Sequence, residues 1–168
     1  MKRAVVLTLM LAGCASGPSE KEKEAARIDR QLAELYRPLA LLVEESRVSV
    51  QDFLKKEARI QIMPTDRTLT DAELQRWIEK AEKDLMPRND KMCALIRSKK
   101  DLVEGGTLPK SWQALLEHQD GWREDHDRWR KEGVAYPFHA RTSFPRLLEK
   151  ELKASIAALE ERKAALAK

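Results

Sequence analysis

His118, Trp122, Asp125 and Trp129 follow one another at intervals of four, three and four residues. At 100° per residue they lie within about 60° of each other, on one stripe of a helix. An imidazole and a carboxylate set among two indoles admit two readings. They can line a pocket for a small molecule, with His118 bonding the ligand and Asp125 orienting it. They can equally be core, with the histidine bonded to a neighbouring helix and the tryptophans filling space. No metal is expected, because His118 and Asp125 are separated by about 10 Å along a helix axis, too far to share one ion. His126 lies no better, and nothing has the His-Glu-x-x-His spacing of a zinc site.

Other reactive side chains lack partners that the sequence can order. Cys93 sits in the apolar run Met92-Cys93-Ala94-Leu95-Ile96, where a cysteine behaves as a small hydrophobe unless a base is placed beside it. Glu44 and Glu45 point about 100° apart on a helix and do not form a catalytic pair. Glu104-Gly105-Gly106-Thr107 lacks the lysine of a phosphate loop, and no Gly-x-Ser-x-Gly occurs. Ser46 and Ser49 fall on the next positions of the stripe that ends at Leu42, so a polar layer shared with His118 is one reading and an exposed helix end is the other. Without a catalytic constellation, no enzyme is expected and no cofactor is called for.

Four helical segments must position these residues. Ile28, Leu32, Leu35, Leu39 and Leu42 repeat at 4-3-4-3 spacing, which predicts a helix with one apolar face. Pro38 interrupts it and predicts a kink or restart near Tyr36, and the helix should fade before Met63-Pro64. Thr70-Asp71-Ala72-Glu73 is a capping box opening a second helix, with Leu74, Trp77, Ile78, Ala81 and Leu85 inward. Pro87 should bend or divide that helix, which resumes through Asn89, Met92, Cys93 and Ile96 and ends before Gly105. Pro109 suits the first turn of a third helix, marked inward by Trp112, Leu115, Leu116, Trp122 and Trp129 and closed by Gly133. Val134 to Ser143 reads as a loop. A fourth helix is expected from about Ser143 to Pro145 onward, carrying Leu148, Leu152, Ile156, Leu159 and Leu166. Nothing alternates with period two, so no sheet is expected. The expected fold is all-α, an antiparallel bundle of four segments with proline kinks.

The 168 residues include 32 basic and 28 acidic side chains. They alternate in sign, as in Glu20-Lys21-Glu22-Lys23-Glu24, which describes a solvated helix face. No basic stripe of the kind nucleic acid requires is present, so no nucleic-acid partner is expected. The start of the chain is different. Lys2 and Arg3 precede the apolar stretch Ala4 to Met10, then Leu11-Ala12-Gly13-Cys14, then a small polar linker with Gly17 and Pro18. A membrane span needs about 20 apolar residues, and Ala4 to Ala12 provides about 13 Å of helix. The layout is that of a removable export signal.

Leu11-Ala12-Gly13-Cys14 resembles the box of bacterial lipoproteins. In that family signal peptidase II cuts before the cysteine, and its sulfur carries a diacylglycerol, with an N-acyl chain in the fully modified form. The resemblance implies a signal peptide over residues 1–13, a lipidated Cys14 with a tether over 14–24, and one helical domain over 25–168. It also implies a membrane partner through the lipid. Acyl chains contribute about 0.8 kcal/mol per buried CH₂, and two or three of them anchor lastingly where one does not. Ala15, in place of an aspartate, resembles the class sorted to the outer membrane facing the periplasm in Gram-negative cells. Leu35-Tyr36-Arg37-Pro38-Leu39, Met86-Pro87-Arg88-Asn89 and Asp101-Leu102-Val103-Glu104-Gly105, with His118 ahead of Trp129, also resemble a pattern in uncharacterised helical bacterial proteins, which implies a helical body and no activity. The first expectation for function is therefore a lipid-anchored envelope protein that binds another envelope protein or braces the envelope. The second is a ligand-binding or sensing bundle with a pocket near Trp122, Trp129 and His118.

Overall fold

Ser19 and Glu22 satisfy each other across the first turn of the chain's first helix: the Ser19 hydroxyl accepts from the Glu22 amide, and the Glu22 carboxylate accepts from the Ser19 amide at 2.6 Å. This capping box starts the helix at Glu20, eight residues ahead of the apolar stripe. Residues 20–24, grouped with the tether by position, are helical, so the charged stretch begins a helix ahead of the packed body. The reciprocal cap supplies the reason, since it satisfies amides that would otherwise face only water. The computed structural model describes residues 17–137 and 141–168. The signal, Cys14 and its lipidation lie outside the described residues.

The described chain is all-helical, with four helices and no strand among the described residues. The first runs over residues 20–56, the second over 71–98, the third is Lys110–Glu132 and the fourth Leu148–Leu166. Thr70 caps the second through the expected box with Glu73. Gly133 closes the third in the left-handed conformation at φ 67°, its amide bonded to the Trp129 carbonyl. The fourth begins at Leu148, not near Ser143, because Pro145 opens a turn in which the Leu148 amide bonds to the Pro145 carbonyl at 3.2 Å. Among the described residues, no helix is long and apolar enough to cross a membrane.

Both long helices contain a five-residue π-helical turn, Leu32–Tyr36 in the first and Ala81–Leu85 in the second. Each ends two residues ahead of a proline. The Arg37 amide reaches back to Leu32 and the Met86 amide to Ala81, five residues instead of four. Proline cannot donate and its ring crowds the carbonyl four residues back, so a widened turn just before it relieves that contact without ending the helix. The extra residue keeps two consecutive side chains on the core side, Leu35 with Tyr36 and Leu85 with Met86, all buried.

The first helix packs against the second and the fourth, and the second packs against the third. Their buried residues form two apolar clusters. One gathers Ile28, Leu35, Leu39, Val43, Met92, Ile96, Trp112, Leu115 and Leu152. The other gathers Trp77, Ile78, Leu85, Met86, Trp122 and Tyr136.

Candidate functional site

At one level three helices each place a polar residue in their core register, with apolar neighbours a turn to either side. On the first helix Ser46 stands between Val43 and Val50; on the second Asn89 stands between Leu85 and Met92; on the third His118 stands between Leu115 and Trp122. All three are buried, Asn89 to 3% exposure and Ser46 and His118 to 8%. This level is the seam between the two apolar clusters, and neither cluster closes over it. A cavity of about 740 Å³ lies there, with walls that include Val43, Leu85 and all three polar residues. Gln61 to Met63, from the connection after the first helix, form one side of it. Pro137 and Ser143 to Arg146, from the connection before the fourth, form another. Trp77, Trp122 and Phe144 supply aromatic faces.

The polar groups in this wall are largely unmatched by protein. His118 Nδ1 lies 2.7 Å from the Thr142 carbonyl. A carbonyl only accepts, so Nδ1 carries the proton and, in the neutral ring, Nε2 is an acceptor. Burial pushes the His118 pKa below its ordinary value, and the bond to Thr142 opposes that in part. Among the described residues nothing bonds His118 Nε2, Ser46 Oγ or the Asn89 carboxamide. These atoms are not wholly enclosed and reach the cavity, where water or a ligand can bond them. Arg47 and Glu149 pair at 3.1 Å in the same wall, while Arg146 is exposed and without an ion pair among the described residues.

The stripe His118, Trp122, Asp125 and Trp129 is divided by the structure. His118 and Trp122 line the cavity, their rings 5.6 Å apart. Asp125 turns instead to Arg141, with oxygens 2.5 and 3.1 Å from its guanidinium nitrogens. Trp129 packs edge-on against Tyr136 at 5.0 Å and beneath the Arg130 guanidinium at 4.3 Å. His126, buried beside them, lies 3.1 Å from Glu82. Burial pushes the neighbouring Tyr136 hydroxyl up to about 12, so it stays protonated. Asp125 does not orient His118; the Thr142 carbonyl has that place. Asn89 is the wall residue the sequence reading passed over, although a polar residue within the run Leu85, Met92 and Ile96 was a visible signal.

A second concavity, of about 580 Å³, lies on the outer side of the first helix and includes Ser49, Lys80 and Arg88. Lys80 donates to Ser49, and Ser49 donates to Asp84. A serine beside a lysine suggests a nucleophile and its base, but Asp84 sits 2.6 Å from Lys80 and 2.5 Å from Arg88. Burial raises the Asp84 pKa, and hydrogen bonds from Lys80 and Ser49 with the Arg88 charge outweigh it and hold the carboxyl ionised. The Lys80 ammonium and the Ser49 hydroxyl are thus both held by one carboxylate, an ion-paired cluster and not a nucleophile with a base. Cys93 is a buried free thiol, pushed up to about 11 by burial, and so is not a thiolate. Among the described residues no three His, Cys, Asp or Glu side chains converge as a metal site would require.

No protein-family model, curated protein or solved structure was found to match the chain.

Proposed function

We propose that this protein is a lipid-anchored, small-molecule-binding helical protein of the cell envelope. The observation that carries the binding half is the cavity at the seam, with Ser46 Oγ, the Asn89 carboxamide and His118 Nε2 in its wall and no protein partner for these groups among the described residues. Ligand pockets are mostly apolar, measure about 300 to 1,000 Å³ and hold a few convergent polar groups. The scaffold in this reading is an antiparallel four-helix bundle, bent at Pro38 and Pro87. The anchoring half rests on Leu11-Ala12-Gly13-Cys14, with Cys14 acylated and the body facing the periplasm from the outer membrane in a Gram-negative host. Native mass spectrometry of the protein extracted gently from its own envelope tests the binding half. A bound small molecule lost on denaturation is expected; a ligand-free mass, with no thermal stabilisation by any apolar compound screened, would remove this reading. For the anchor, Cys14→Ser is expected to leave the body folded and move it from the membrane pellet to the soluble fraction, and a variant that stays in the pellet counts against lipidation.

The rival role, binding an envelope protein or bracing the envelope, is favoured by a different surface. Leu41 and Val48, 57% and 41% exposed, stand two turns apart on the outer face of the first helix, beside Ser49 and Lys80. Crosslinking in the native envelope that captures a partner through this face would put that role first.

A further inference from the structure

Resting on the ligand-binding reading above, we propose that the cavity selects an uncharged, ring-bearing apolar molecule by a hydroxyl group held among Ser46, Asn89 and His118. The donor and acceptor inventory leads there. His118 Nδ1 gives its proton to Thr142, which leaves Nε2 to accept, so the ligand must bring a donor. Ser46 and Asn89 can each donate as well as accept, so the same ligand atom gains by accepting too. A hydroxyl does both; an ether oxygen or a carboxylate only accepts.

Charge points the same way. Arg47 in the wall is already paired with Glu149 at 3.1 Å. Arg146 is solvent-exposed and is not among the buried residues that hold the polar level. A carboxylate or phosphate held among Ser46, Asn89 and His118 would lose water to three uncharged partners, an unfavourable exchange unless it reaches Arg146 on the exposed side of the wall. The flat faces of Trp77, Trp122 and Phe144 favour a ring over a flexible chain, because offset and edge-on packing reward planar partners.

The test is a ligand-observed NMR titration of the full chain at pH 7.5 with three probes that share one ring system: 2-naphthol, 2-methoxynaphthalene and 2-naphthoate. 2-Naphthol is expected to bind at least about tenfold more tightly than the other two, since only it satisfies the acceptor on His118. His118→Phe is expected to erase most of that preference, and Asn89→Leu and Ser46→Ala to weaken 2-naphthol and 2-methoxynaphthalene alike, since both groups can donate to either oxygen. Asn89→Leu should do so while keeping or raising the melting temperature, because it removes a polar group that the fold does not use; a loss of melting temperature with the affinity for both probes intact would show Asn89 to be structural and overturn its role. Equal affinity for 2-naphthol and 2-methoxynaphthalene would overturn selection by hydroxyl and leave the ligand-binding reading standing. Tightest binding of 2-naphthoate would overturn it in favour of an anion site at Arg146. Failure of all three probes to bind would sink the ligand-binding reading and this inference together.

Discussion

The two halves of the third helix carry similar chemistry and use it differently. Asp125, His126 and Trp129 meet Arg141, Glu82, Tyr136 and Arg130. His118 and Trp122, two turns and one turn earlier, face a cavity in which one imidazole nitrogen has no protein partner among the described residues. The contrast is set by neighbours and not by the stripe. Near Asp125 the facing helix brings an acidic residue and the following connection an arginine. Near His118 the facing helices bring Asn89 and Ser46, too short to close the gap. A histidine beside a tryptophan is thus packing at one end of a helix and the wall of a binding space at the other.

The contrast is sharpest at the tryptophans. Trp122→Ala is expected to lower stability by about 3 to 5 kcal/mol in urea unfolding, as a large core truncation does. Trp129→Ala removes a half-buried ring and should cost about half as much. Equal losses would erase the distinction between the two halves, and unchanged stability of Trp122→Ala with lost ligand binding would show that Trp122 serves the cavity alone. A smaller effect is expected of Asp125→Ala, which removes the pair with the exposed Arg141 and should cost at most about 1 kcal/mol. A loss of several kcal/mol there, measured in the same way, would mean that Asp125 holds more of the fold than its one partner suggests.

The smallest effect is a pH window. Because the folded His118 pKa lies below its ordinary 6.5, the unfolded chain takes up a proton that the native ring resists. Stability is therefore unaffected well above the unfolded value, declines as pH falls through it, and levels off below the folded value. The carboxylates held low act elsewhere: Glu34 by its hydrogen bond from Lys99, and Glu57 by Arg76, keep stability that is lost only as pH drops below their ordinary 4.5. Melting temperatures of the parent and His118→Phe between pH 8 and 5 isolate the upper window. Parallel curves for the two proteins would place His118 outside it.

Much of the fold was legible where periodicity and caps spoke together. Thr70 with Glu73, Pro109 and Gly133 announced their helix ends, because each satisfies or removes a backbone group locally. Ser19 with Glu22 carried the same message at the head of a charged stretch, where no apolar stripe marked the helix start. The site was half legible. His118, Trp122 and Ser46 stood out as polar or aromatic residues on apolar stripes, and so did Asn89 to a closer reading. What the stripes could not tell was where Asp125 and Trp129 would turn, since Arg141 and Tyr136 come from a connection with no period to read. The walls formed by Gln61 to Met63 and Phe144 to Arg146 were hidden for the same reason.

The widened turns ahead of Pro38 and Pro87 have a bearing on how this chain tolerates change. Each holds one residue more than a regular coil of the same height, so a chain that lost that residue would run on as a regular α-helix with everything downstream in its present azimuth. A residue lost between the wide turn and Ser46 in the first helix, or between it and Asn89 in the second, has no such slack and would swing that side chain about 100° off the shared level. Two short stretches, of which only Leu85 borders the cavity, are therefore where these rods can change length by one residue while the lining stays the same.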